Sequence, residues 1–300
     1  MRLLTFQTSE RENRPGVLTG GIVVDLVALG ESTGTGLPGL VLDYLSDPAV
    51  RQQASDMVSL TRGSWSPGVA HRLEELTLAA PFRPGKIVGV GLNYVEHVAE
   101  SSRTLDTDQD LPSRPVLFSK PATAVVGPGE PIRHNGNMTQ QLDWEVELAV
   151  VIGKRAFQVS EDDALTYVVG YTITNDISAR DQRRSGQWFY SKGQDSYAPL
   201  GPWVVTADEI ADPQALDVSL RVNGAVKQKS NTRHMLFSIR QLIADITAGM
   251  TLEPGDVIAT GSPSGVGAAQ EPPQYLQPGD VVELEIEGIG RLWNPVVDAR

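Results

Sequence analysis

One run, Asp143-Trp144-Glu145-Val146-Glu147-Leu148-Ala149-Val150-Val151-Ile152, constrains the fold of this chain more than any other. On an extended strand, successive side chains point to opposite faces. Glu145 and Glu147 therefore share one face, and Trp144, Val146, Leu148, Val150 and Ile152 occupy the other. Ala149 and Val151 continue the carboxylate face, so both faces read as buried, as in an interior strand of a covered sheet. Two carboxylates about 7 Å apart on such a strand must raise their pKa values, pair with cations or share a metal ion. The pattern alone leaves an ion-pair network and a metal site both open. The chain carries its own control. Glu283, Glu285 and Glu287 alternate with Val282, Leu284 and Ile286, and there the half-apolar pattern reads as a solvated carboxylate face.

The whole chain narrows the choice of chemistry. Its 300 residues suffice for a large domain with a small one attached. A formal net charge of −12 argues against nucleic acid, which needs a basic stripe, and against an anionic membrane surface. It does not exclude an anionic substrate, since a bound cation inverts the local field. There is no cysteine, which removes disulfides, thiolate metal sites and a cysteine nucleophile. Four histidines, His71, His97, His134 and His234, make a multi-histidine site a poor expectation. Residues Met1 to Phe6 lack a signal-peptide apolar run, and no apolar stretch reaches the length of a membrane span. The expectation is a cytoplasmic enzyme.

Residues 1–80 read as a small N-terminal α/β domain, with short strands at Arg2 to Gln7, Gly16 to Thr19 and Ile22 to Leu26. Helical spacing follows at Leu40 to Leu45 and Ala49 to Leu60, with Asp47-Pro48 as a helix start. Pro81-Phe82-Arg83-Pro84-Gly85 is a punctuated link. Residues 81–300 read as a β-rich α+β domain. Its strands centre on Lys86 to Val90, Val116 to Ser119, Trp144 to Ile152, Gly170 to Asn175, Trp203 to Thr206, Ser219 to Asn223, Asp256 to Thr260 and Val281 to Ile286. Pro254-Gly255-Asp256 and Pro278-Gly279-Asp280 are turn signals. Helices are expected at Glu161 to Val168 and along the stripe Leu236, Ile239, Leu242, Ile243 and Ile246.

Further candidates lie outside the carboxylate strand. Asp176 ends a polar strand, Thr172-Ile173-Thr174-Asn175-Asp176, and offers a third oxygen ligand; a helix N-cap is the alternative. Three carboxylates without sulfur or imidazole select a hard cation, Mg²⁺ or Mn²⁺ before zinc. His97 and Glu100 would share a helix face, so that Glu100 holds the imidazole as a general base; a surface pair is the alternative. Lys192, among aromatics, could neutralise an oxyanion or be a surface charge. Arg180 and Gln182 could close over a ligand or lie in a solvated loop. Thr260-Gly261-Ser262-Pro263-Ser264-Gly265-Val266-Gly267 could cradle a carboxylate with backbone N–H groups or be a plain turn. It lacks the Gly-Lys-Ser/Thr ending of a Walker loop, and Gly91-Leu92-Asn93 is not a dinucleotide fingerprint.

Taken in order, six segments resemble the fumarylacetoacetate hydrolase family, in its branch of FAH-domain-containing proteins and bacterial acylpyruvate hydrolases and isomerases. They are Gly91-Leu92-Asn93-Tyr94-Val95-Glu96-His97, Phe118-Ser119-Lys120-Pro121, Asp143 to Gly153, Asn175-Asp176-Ile177-Ser178-Ala179-Arg180-Asp181, Pro199-Leu200-Gly201-Pro202 and Pro254 to Gly261. The likeness runs from about Lys86 to Val297. It implies a catalytic domain of layered mixed β-sheets and a homodimer. It also implies Mg²⁺ or Mn²⁺ on Glu145, Glu147 and Asp176, with His97 and Glu100 activating water. Lys192 matches an active-site lysine, Arg180 and Gln182 fall in the substrate-binding segment, and Thr260 with Gly261 matches a substrate-carboxylate loop. Two departures stand out. Ser262 and Ser264 replace residues that are often Thr and Pro or Lys, and the segment after Asp181 is shorter. The expected reaction is C–C hydrolysis of an acylpyruvate-type 2,4-dioxo acid through a metal-stabilised enolate. A 2-hydroxyhepta-2,4-diene-1,7-dioate-type isomerase, an oxaloacetate tautomerase or decarboxylase, and a non-catalytic metal-binding homologue are the alternatives.

Overall fold

The computed structural model of the chain describes residues 1–96 and 111–299. Its larger sheet has twelve strands. Ten lie side by side in the order Ala70–Arg72, Ile22–Asp25, Asn13–Thr19, Arg2–Gln7, Ala198–Thr206, Val168–Asn175, Val146–Ile152, Val257–Ala259, Ile87–Gly91 and Val116–Lys120. Thr77–Ala79 adds to Arg2–Gln7, and Val125–Val126 adds to Ala198–Thr206. Most pairs are antiparallel, but Val257–Ala259 runs parallel to Ile87–Gly91, which makes the sheet mixed. The strands of residues 1–80 join the rest through Leu3 opposite Val204. A second sheet of five strands has the order Ala225–Asn231, Asp217–Val222, Val281–Ile286, Gly290–Asp298 and Ile132–His134. The outcome is the β-rich layered architecture expected.

Every residue of Val146–Ile152 is buried, because each of its faces meets a different core. Val146, Leu148, Val150 and Ile152 pack with Leu220, Leu284 and Leu292 of the five-stranded sheet and with Leu242, Ile243 and Ile246 of the helix Ile239–Thr247. Ala149 and Val151 face the other way, into a core with Leu29, Tyr44, Leu45 and Val58 from the helices of the first sixty residues. Glu147 extends this second face to the end of the strand. The control strand behaves as read: Glu285 and Glu287 are exposed and Glu283 is half-buried beside Arg291.

Local differences from the sequence reading have local causes. Asp25 does not continue the strand into Leu26. Its carboxylate accepts the N–H groups of Val27 and Ala28 and starts the helix Leu26–Thr33. The helix expected over Glu161 to Val168 is only the short turn Ala164–Tyr167. Tyr167 gives its carbonyl to Gly153 N–H, and Val168, β-branched, already begins a strand. Leu236 lies outside its helix, because Ser238 and Gln241 form a capping box that starts the helix at Ile239. The polar strand Ala225–Asn231 was not expected. Asn223 and Gly224, both at positive φ, turn it back on Asp217–Val222, a hairpin signal that was legible.

Candidate active site

The site grows from the end of the carboxylate strand. Trp144 is driven into the core, its indole N–H bonded to Gly265 O at 3.1 Å, and this turns Glu145 to the opposite side. Glu145 N–H donates to Asn175 Oδ1, and Asp176 N–H donates to Glu145 O at 2.9 Å. The two segments are thereby pinned together. Carboxylate oxygens of Glu145, Glu147 and Asp176 lie within 4.8 Å of one another, and all three residues are buried. Asp176 caps no helix, since the next helical turn, Arg180–Gln182, starts beyond Ala179. The chain runs into Ser178–Ala179, paired with Leu142–Asp143, so the N-cap alternative does not hold.

Three cations surround the cluster. Lys192 Nζ donates to Glu145 Oε2 at 2.9 Å, Asp176 Oδ2 at 2.5 Å and Ser178 Oγ at 2.7 Å. Arg180 bridges Asp143 Oδ2 at 2.8 Å and Glu145 Oε1 at 2.5 Å. Lys120 Nζ stands 2.6 Å from Asp176 Oδ1 and donates to the carbonyls of Ile177, Lys192 and Tyr197. Neither Asp143 nor Lys120 was a sequence candidate. Asp143 also accepts the N–H groups of Gly267 and Ala268, which fixes the carboxylate that orients Arg180.

Among the described residues, four carboxylates face these three cations, and Glu147 is the carboxylate that none of the three pairs directly. Among the described residues its hydrogen-bond donor is the Gly261 N–H, at 3.1 Å. Burial, then the neighbouring charges of Asp176 and Glu145, push its carboxyl well above the usual range. Asp176 is also raised, by burial, against the pull of Lys120 and Lys192. Burial alone would lower Lys192, but Asp176 and Glu145 outweigh it and hold the ammonium charged. Three buried oxygen donors fit a hard divalent cation. The paired cations do not remove that fit, because none of the three pairs Glu147 directly.

Glu145 and Glu147 line a cavity walled by Val90, Leu92 and Trp188, with Arg183, Ser191 and Ser262 also at its surface. Arg180 and Lys192 line it, as the sequence suggested. Gln182 instead donates to Met138 O and accepts from Arg184; its neighbour Arg183 faces the cavity. Thr260 Oγ1 donates to Leu148 O. His97 and Glu100 lie outside the described residues. Gly261 has φ +98°, and a Cβ there would sit 2.6 Å from Asn93 Cβ and 3.1 Å from Val90 O. Gly261→Ala is therefore expected to destabilise the protein by about 1–3 kcal/mol in denaturant unfolding, through strain beside Glu147.

Residues 86–297 match the family described as Fumarylacetoacetate (FAA) hydrolase, C-terminal. The chain belongs to the fumarylacetoacetate hydrolase family. Among its relatives is the oxaloacetate tautomerase fahd2, mitochondrial, of Xenopus laevis, 40% identical over 99% of this chain and 90% of that one. Two solved structures of the family superpose on it. Maleylpyruvate hydrolase from Sphingobium sp. SYK-6, in complex with manganese(II) ion and pyruvate, has 30% identity, a TM-score of 0.79 and full coverage of both chains. The 2-hydroxyhepta-2,4-diene-1,7-dioate isomerase of Mycobacterium marinum has 34% identity and a TM-score of 0.71, over 99% of this chain and 98% of that one. Family membership thus makes the chain an enzyme of a group that includes hydrolases, isomerases and tautomerases. Among the described residues no helix is long and apolar enough to cross a membrane.

Proposed function

We propose that this enzyme binds Mg²⁺ or Mn²⁺ on Glu145, Glu147 and Asp176 and acts on a small 2-oxo acid. Hydrolytic cleavage of a C–C bond in a 2,4-dioxo acid is the leading reaction. The observation that carries the reading is the convergence of three buried carboxylates beside Lys192, with Glu145 and Glu147 on the wall of one cavity. The manganese and pyruvate held by the Sphingobium hydrolase support it.

A bound divalent cation would supply Lewis-acid polarisation of the 2-oxo group and offset the negative charge that builds up there. Lys192, its three N–H groups held by Glu145, Asp176 and Ser178, provides a fixed positive charge beside a substrate oxygen that gains charge. Arg180 keeps Glu145 in one orientation through Asp143. Val90, Leu92 and Trp188 restrict water. In hydrolysis, His97, with Glu100 proposed as its partner, takes a proton from water as the oxygen adds to the distal carbonyl. The bond between C3 and C4 then breaks, its electron pair passes to the 2-oxo fragment, and protonation at C3 releases pyruvate and a carboxylic acid.

A second reading, tautomerisation, is favoured by the similarity to the Xenopus protein across almost the whole chain. It moves one proton between C3 and the 2-oxo oxygen and consumes no water. Incubating the protein with Mn²⁺ and acetylpyruvate tests the first reading: pyruvate and acetate should form, stop with EDTA and resume with added Mn²⁺. Enol-oxaloacetate converting to its keto form, with no cleavage of acetylpyruvate, would favour the second. No Mn²⁺ binding, or turnover indifferent to EDTA, would overturn both.

A further inference from the structure

We propose that Asn93 is a positioning residue for Glu147 and acts on it through the one peptide group that joins Thr260 to Gly261. This rests on the reading of Glu147 as a metal ligand. Asn93 is fully buried and lies just beyond the strand Ile87–Gly91. Its Nδ2 donates to Thr260 O at 2.7 Å and to Phe237 O at 3.1 Å, and its Oδ1 accepts the Phe237 N–H at 2.7 Å. Two carbonyls and one N–H leave the amide a single way round, with both of its hydrogens in use. Leu236 N–H donates to the Asn93 carbonyl at 2.8 Å. The residue is thereby anchored on the segment ahead of the helix Ile239–Thr247 and turns its other hydrogen to the site.

The Thr260 carbonyl and the Gly261 N–H belong to one peptide plane and, in a trans peptide, point in opposite directions. Asn93 holds the carbonyl side of that plane, and Glu147 Oε2 takes the N–H on the other side at 3.1 Å. Local sterics do not hold it. Gly261 has φ +98°, and a glycine lets the peptide before it rotate at little cost. Rotated by half a turn, the plane would present a carbonyl to the buried carboxylate in place of a donor. Thr260 is fixed on its other side, where its N–H and Oγ1 donate to Leu148 O at 3.1 and 2.9 Å. The freedom that remains is that of the plane itself, and the bond from Asn93 removes it. That bond also polarises the peptide and strengthens its N–H as a donor. Among the described residues Asn93 bonds no carboxylate of the cluster, so its effect on a metal ion passes through this peptide. Glu147 then has Oε2 tethered to a donor of fixed direction and Oε1 left for the cation.

Calorimetric titration with Mn²⁺ tests this without turnover. Asn93→Ala should bind Mn²⁺ about 10–100-fold more weakly than wild type, the usual worth of a group that orients a ligand. The variant also leaves buried groups unpaired, so Asn294→Ala serves as the control for lost stability alone. Asn294 is equally buried and donates to Gly127 O and Glu130 O, outside the site, and its variant should keep Mn²⁺ affinity within about 2-fold. Hydrogen exchange at the Gly261 amide, read by NMR on the metal-free proteins, should quicken in Asn93→Ala and not in Asn294→Ala. Wild type supplies a measurement that holds even where Asn93→Ala does not fold. Saturating Mg²⁺ should shift the Asn93 side-chain amide signals together with that of Gly261 and leave those of Asn294 in place. Four results each overturn the assignment while the functional reading stands: unchanged Mn²⁺ affinity in a folded Asn93→Ala, an equal loss in Asn294→Ala, unaltered Gly261 exchange, or Asn93 signals unmoved by Mg²⁺. Failure of wild type to bind either cation removes the functional reading and this inference together.

Discussion

Lys120→Ala is expected to destabilise the enzyme by about 3–5 kcal/mol, the cost of breaking a buried ion pair from one side. The side chain is fully buried, and burial lowers the pKa of its ammonium against the pull of Asp176. It stays in place because everything around it accepts hydrogen bonds: Ile177 O at 3.2 Å, Tyr197 O at 2.7 Å, Lys192 O at 2.5 Å and Asp176 Oδ1. Alanine would remove the ammonium from three carbonyls and from Asp176 Oδ1; Tyr197 O keeps the Ile177 N–H and Asp176 keeps Lys192, but the carbonyls of Ile177 and Lys192 lose this donor. Denaturant unfolding of both proteins measures the difference. A loss below about 1 kcal/mol would mean that water replaces the ammonium at little cost. Lys120→Met, which keeps the bulk but not the charge, should fall close to alanine, since the lost bonds dominate over the lost volume.

Glu147→Gln should show two effects of opposite sign. Mn²⁺ affinity should fall by about 100-fold or more, because loss of an outer-shell partner alone costs 10–100-fold and Glu147 is a proposed ligand. The metal-free protein should be as stable as wild type or more so. The sign follows from linkage. The carboxyl of Glu147 is raised in the folded state, so the native protein holds this proton more tightly than the unfolded chain. Metal-free stability therefore falls as pH rises from the ordinary carboxylate range towards the raised value. Glutamine removes that slope and still accepts the Gly261 N–H. The same proton makes wild-type Mn²⁺ binding tighten as pH rises, with proton release. Melting curves in EDTA at two pH values, with Mn²⁺ titrations, measure both effects. A metal-free variant clearly less stable than wild type would make Glu147 a structural group.

What could be read from the sequence follows the distance over which each contact acts. Glu145 and Glu147 were legible because strand alternation is local, and Ala149 and Val151 announced that their face was covered. Asp176 was weaker, since its alternative as a helix cap depended on what Ser178 and Ala179 would do. Those residues pair with Leu142 and Asp143, a contact no local pattern contains. Lys120 sat in plain view in Phe118-Ser119-Lys120-Pro121, but its partners lie at Asp176, Ile177, Lys192 and Tyr197. Asp143 stood at the head of the most informative run, and its role depends on Arg180 and on the Gly267 turn. Gln182 and Arg183 show the finest limit. Both are long and polar, and which one reaches the cavity is decided by a turn whose shape the spacing did not carry. The helix expected over Glu161 to Val168 failed for a related reason, because pairing of the next strand outweighed helical spacing.

The doubly covered strand has a bearing on how the sheet assembles. A central strand that is apolar on both faces is poorly told which way up to sit, because a slip of one residue against its neighbours exchanges one oily face for the other. In Val146–Ile152 the two faces differ in size, with Leu148 and Val150 against Ala149 and Val151, and size mismatches are tolerated at modest cost. Glu145 and Glu147 differ in kind. Inverted, they would enter the apolar core that holds Leu220, Leu242 and Leu284, away from Lys192 and Arg180, at several kcal/mol for each buried charge. The residues proposed to hold the metal thus also act as the strand's alignment mark, and a variant that neutralised both would loosen the pairing choice of the sheet along with its chemistry.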